Sequence, residues 1–166
     1  MRSIVILTER FYVTLLQDQA EEFARRKARD RKGKPVISIY EFDYDAAIKD
    51  CAYLNFEFYD EAWLDFVVAS RNGMKPWANY DIVEGGVAND RVIDTVELYT
   101  IGILDKASAL GRLSEHQPNH QICILSQAIL DKYLKFVTFG NNTGERRPQN
   151  LASPCHKYSL PFFLML

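Results

Sequence analysis

Gly33-Lys34-Pro35-Val36-Ile37-Ser38-Ile39-Tyr40-Glu41-Phe42 separates two kinds of periodicity, and the fold class turns on that separation. Upstream, Leu16, Ala20, Phe23, Ala24 and Ala28 recur at helical spacing with charge on the opposite face, so a helix is expected to run until Gly33-Lys34-Pro35 stops it. Downstream, residues 36–42 follow a proline and are rich in β-branched and aromatic side chains, which suit a pleated surface; a strand is expected there. Residues 53–58 alternate Tyr53, Asn55 and Glu57 with Leu54, Phe56 and Phe58, giving a second strand expected to pair with the first.

The same mixture continues along the chain. Asp60 is placed to cap a helix that turns Trp63, Phe66 and Val67 inward and ends at Arg71-Asn72-Gly73. Residues 80–83 give a short strand leading into Gly85-Gly86, which the spacing assigns to a turn. No phosphate-loop pattern surrounds that pair. Asn89 or Asp90 then caps a helix lined by Val92, Val96, Tyr99 and Ile103, and another helical stretch carries Ala107, Leu110 and Leu113. Residues 121–125 form a strand, Ser126 caps a short helix over Ala128 and Ile129, and residues 134–139 make a last strand. Residues 140–166 show no period and end in the apolar run 160–166, so they are expected to be a tail beyond a domain of residues 1–139. Such a run docks on the core or on an oligomer partner, because in water it would be an aggregation risk.

With 166 residues, 48% of them hydrophobic and 25% charged, the chain has the makings of an ordinary folded domain with one core. Its net charge of −2 excludes a generally basic nucleic-acid coat. Residues 25–34 hold seven basic residues and one acidic one, a run that complements the dipole at the end of the first helix and stays solvated. Cys51, Cys123 and Cys155 form no C-x-x-C pair, and an odd count argues against a closed disulfide framework. Such cysteines fit a reducing compartment. No apolar run suits a membrane span or a secretion signal, so the cytoplasm is expected. His116, His120 and His156 share no ligand spacing with a cysteine, and no metal is expected. His120 and Cys123 fall on opposite faces of one strand, which disfavours a Cys–His nucleophile.

Taken in order, Arg10-Phe11-Tyr12-Val13-Thr14, residues 36–42, Trp63-Leu64-Asp65-Phe66-Val67-Val68 leading to Arg71, Tyr80-Asp81-Ile82-Val83, Val87-Ala88-Asn89-Asp90, Gln121-Ile122-Cys123 and Leu134-Lys135-Phe136 carry a resemblance. They resemble a bacterial family of unknown function in the ADP-ribosyltransferase-like superfamily, over about residues 10–136. That resemblance implies an α+β fold, a mixed core of two small sheets with surrounding helices, and a cleft for NAD as substrate. It implies that the Tyr12 ring stacks on nicotinamide, with Arg10 and Thr14 beside it, and that Asn89 and Asp90 bring a helix start to the pyrophosphate. It also sets Gln121 where active transferases place a glutamate, facing Tyr12 across a groove as wide as a dinucleotide. The residues alone leave two simpler readings open: Asn89-Asp90 as a helix cap, and Gln121 as a polar residue on an outward strand face.

A neutral amide accepts a hydrogen bond from ribose but brings no negative charge to a cationic transition state. Loss of such a stabiliser costs about 100- to 1,000-fold in rate. Nothing before Arg10 resembles the His-bearing first strand of the superfamily, so an N-terminally truncated copy is expected. The function expected is transfer of ADP-ribose to a protein or nucleic-acid acceptor, active or lost in a degenerate form, with a catalytically inactive protein-interaction module as the alternative. A homo-oligomer through the apolar C-terminus and no membrane partner complete the expectations.

Overall fold

The computed structural model describes residues 10–86, 90–141 and 159–164. In chain order the elements are β1 (Phe11–Thr14), α1 (Gln17–Asp30), β2 (Val36–Asp43), α2 (Tyr44–Lys49), β3 (Tyr53–Asn55), α3 (Glu61–Arg71), β4 (Ile82–Gly86), α4 (Asp90–Thr100), α5 (Lys106–Leu113), β5 (His120–Ile124), α6 (Gln127–Tyr133), β6 (Leu134–Asn141) and β7 (Ser159–Leu164). The class is α+β, with six helices and a small sheet in each of two units among the described residues. One unit joins the chain up to Cys51 with Cys123 onward; the other is continuous, Ala52–Ile122. No helix among the described residues is long and apolar enough to cross a membrane.

In the discontinuous unit the strands run β1-β7-β2-β6, all antiparallel. Both edges of β2 are taken, by β6 and β7, so the expected pairing of residues 36–42 with 53–58 does not occur. Segment 159–164, expected to lie in a tail, supplies the strand between β1 and β2. Both faces of β2 are covered. Ile37 packs with Ala20 of α1, while Tyr40 meets Phe11 and Phe136 edge to face at 5.5 and 5.6 Å, which explains why apolar side chains stand on both faces of β2. Opposite Ile39 and Tyr40 the β6 register skips Val137, a bulge on that strand. Helix α1 starts at Gln17; Leu16, expected on its apolar face, sits at the N-cap and is 45% exposed.

In the continuous unit β3 pairs in parallel with β4, Tyr53 opposite Ile82 and Asn55 opposite Glu84. The strand stops at Asn55, short of the expected Phe58, and the alternation breaks: Phe56 is buried but Phe58 is 66% exposed. Asp60 caps α3 as expected, its carboxylate accepting from the Trp63 N–H at 2.9 Å. Helices α3, α4 and α5 enclose a core of Phe56, Tyr59, Trp63, Leu64, Val92, Val96, Ala109 and Leu113. Helix α4 ends at Thr100, where Gly102 takes φ 77° and receives the chain in a Schellman turn. Ile103, expected on the inner face, is therefore turned out and 67% exposed. Ser126 occupies the N-cap of α6 without accepting a side-chain bond, so the cap anticipated there is one of position only.

Candidate functional site

Residues two apart on a strand share a face, and Phe11 and Val13, both buried, take the inner face of β1. Arg10 and Tyr12 are left on the other. The Arg10 guanidinium donates to the Tyr12 hydroxyl, which in turn bonds the Cys123 thiol on β5. Burial is the main influence on both acids: it raises Tyr12 above the usual phenol value and pushes the Cys123 thiol up to about 11, with Arg10 opposing each shift. Cys123 is thus a neutral hydrogen-bonding group near pH 7 rather than a nucleophile. The Thr14 hydroxyl is used locally, donating to Gln19 Oε1 at 2.6 Å and accepting from the Leu16 N–H at 3.1 Å, so it shapes the turn into α1.

The other expected site residues belong to the continuous unit. Gln121 is half-buried on β5. Asn89 lies outside the described residues, and Asp90 is the first residue of α4. Arg10 and Tyr12 are thus brought together, and Thr14 is turned to a local task. Beside Gln121 the sheet carries a polar cluster that the sequence reading missed. Tyr53 donates to Glu84 Oε2 at 2.8 Å, and His120 Nδ1 stands 3.7 Å from Glu84 Oε1. It was hidden because β3, β4 and β5 meet only in three dimensions.

Gly85 and Gly86 are in strand β4, not in a turn. A Cβ on Gly86 would lie 2.8 Å from Pro118 Cβ and closer still to the Tyr59 ring, so only glycine lets those side chains settle on the strand. The Trp63 indole donates to the Gly86 carbonyl at 3.3 Å, and the Asn119 N–H donates to the Tyr59 hydroxyl. Tyr59 and Pro118 so held form part of an open groove of about 480 Å³ between the start of α3 and the end of α5. Leu110 and Leu113 add apolar lining, Phe58 stands at the rim, and Asp60, Glu61, Ser114 and His116 supply the polar groups. Lys106 ties the two helices together, bonding Glu61 at 2.6 Å and Asp65 at 3.1 Å; Arg71 pairs instead with Glu97 at 3.2 Å. Among the described residues no group of three or more His, Cys, Asp or Glu is arranged to hold a metal ion.

Comparison with curated proteins and with solved structures found no match. A family model does match, over residues 8–136, and covers most of the chain, from just before β1 into β6. The chain belongs to the family described as Protein of unknown function (DUF3990).

Proposed function

We propose that this protein is ADP-ribosyltransferase-like: it takes NAD as substrate, releases nicotinamide and passes ADP-ribose to a protein or nucleic-acid acceptor. The glycosidic bond to nicotinamide breaks with its electron pair leaving on the ring nitrogen. The acceptor's nucleophile then bonds the ribose carbon and gives up a proton. The observation that carries the reading is the Arg10–Tyr12 pair. A partly buried aromatic ring suits a flat leaving group, and a guanidinium at its edge, with five N–H donors in a fixed fork, suits the phosphates attached to it. Gln121 accepts a hydrogen bond from the ribose hydroxyl, but as a neutral amide it leaves the reaction about 100- to 1,000-fold slower than a carboxylate would. Thr14 supports the turn that follows Tyr12.

The test is nicotinamide release from NAD. Slow release by the parent protein, abolished in Tyr12→Ala and Gln121→Ala and accelerated about 100-fold in Gln121→Glu, supports the reading. No release from either the parent or Gln121→Glu rejects it. The second reading is an inactive interaction module; the exposed Phe58 beside an apolar groove favours it, and it predicts that absence of turnover.

A further inference from the structure

The groove between α3 and α5 has features that no part of the NAD reaction uses. Its floor is apolar, neither Lys nor Arg lines it, and Asp60 and Glu61 stand on one wall. The continuous unit, Ala52–Ile122, holds eleven acidic against five basic residues, a net charge of −6, and so attracts cations to this surface. Its rim is also dressed for contact, because Phe58 keeps 66% of its surface in water. The groove is held open rather than collapsed: Lys106 spans its two helices through Glu61 and Asp65, and Gly86 lets Tyr59 and Pro118 lie flat against β4.

We propose that this groove docks a segment of another protein in which a Lys or Arg stands beside a Leu or Phe. The apolar side chain enters over Leu110 and Leu113, Phe58 closes on it, and the cation rests against Asp60, since Glu61 is engaged by Lys106. Small-molecule pockets bury most of their ligand, whereas this groove is open to solvent along one side. That shape takes an anchor side chain with its backbone running past. The reading stands whether or not NAD is turned over.

The experiment is fluorescence polarisation with the full chain, without NAD, against a pool of fluorescein-labelled hexapeptides. Each peptide carries Lys or Arg at two fixed positions around Leu or Phe, and a control pool carries Glu in place of the cations. The expected result is saturable binding of the basic pool that weakens at least about tenfold in Phe58→Ala, is lost in Ser114→Trp and fades at high salt. Both positions are exposed, the Ser114 hydroxyl donating to the Gly111 carbonyl, so circular dichroism should match the parent in both variants, and tryptophan fluorescence should match it in Phe58→Ala. The proposal is overturned by no saturable binding up to roughly 1 mM peptide. Equal binding of the acidic pool, or binding indifferent to both substitutions, overturns it too. So does a dimer in sedimentation that Phe58→Ala dissociates, which would assign the groove to a second copy.

Discussion

Tyr12 and Tyr53 each stand on the first described strand of their unit and send a hydroxyl to a neighbouring strand, yet the two bonds end on different chemistry. Tyr12 meets a thiol kept neutral by burial, with a guanidinium behind it. Tyr53 meets Glu84, a carboxylate with a histidine on its other oxygen. The first arrangement carries its charge at the edge, on Arg10, where an anion can meet it. The second holds a negative charge within the sheet, and that charge needs its hydrogen bonds to stay there. The helix ends differ as well. In the continuous unit Gly73 and Gly102 take the left-handed position that ends α3 and α4, at φ 80° and 77°, whereas α1 turns through Lys32 at φ 52°.

The comparison breaks most visibly in the core of the continuous unit. Leu64 is fully buried there, and Leu64→Ala should cost about 2–5 kcal/mol. Both tryptophans, Trp63 and Trp77, belong to that unit, so urea unfolding followed by their fluorescence reads the loss directly. The two tyrosines come next. Tyr53→Phe removes a bond to a carboxylate and Tyr12→Phe a bond from the Arg10 guanidinium, so each should cost about 1.5–3 kcal/mol, measured as urea midpoints followed by circular dichroism. A cost under about 0.5 kcal/mol for either would show that water already satisfies its hydroxyl.

Alkaline pH sharpens the same contrast. The Cys123 thiol is raised from 9.0 to about 11 and Tyr12 also titrates above its usual value. The neutral Cys123 thiol stabilises the fold fully below about pH 9, and that contribution is lost as pH rises through about 11; neutral Tyr12 acts in the same direction, its contribution lost above the usual phenol value. Stability should therefore fall over this interval by at most about 1.4 kcal/mol per pH unit for each group, and less steeply in Cys123→Ala. Urea titrations at several pH values would show it. The smallest effect belongs to the helix end: Lys32→Gly should gain less than about 1 kcal/mol, the relief of a left-handed lysine offset by a more flexible unfolded chain. Thermal melting would detect it.

What the sequence made legible was local. The helix of α1, the strand of β2 and the Asp60 cap follow from spacing and from one side chain placed before an apolar run. Strand β1 was not: Arg10 and Tyr12 were grouped by the resemblance alone, with no strand read there. Nor was strand β7. Pro161 cannot donate to a ladder, and a proline within an apolar run argues against a strand with partners on both sides. Gly85-Gly86 resembles a turn until Tyr59 and Pro118, distant in sequence, are seen to occupy the space that a Cβ would take. The groove escaped for the same reason, its walls coming from opposite ends of two helices.

The position of β7 bears on how the chain acquires its shape during synthesis. Strands β1 and β2 leave the ribosome early, but the strand that belongs between them is translated only after the whole of Ala52–Ile122. The later-starting unit can thus finish first, while β1 and β2 wait for the strand they share. Slow translation of the intervening codons would lengthen that wait, and a chaperone that shields strand edges would act within it.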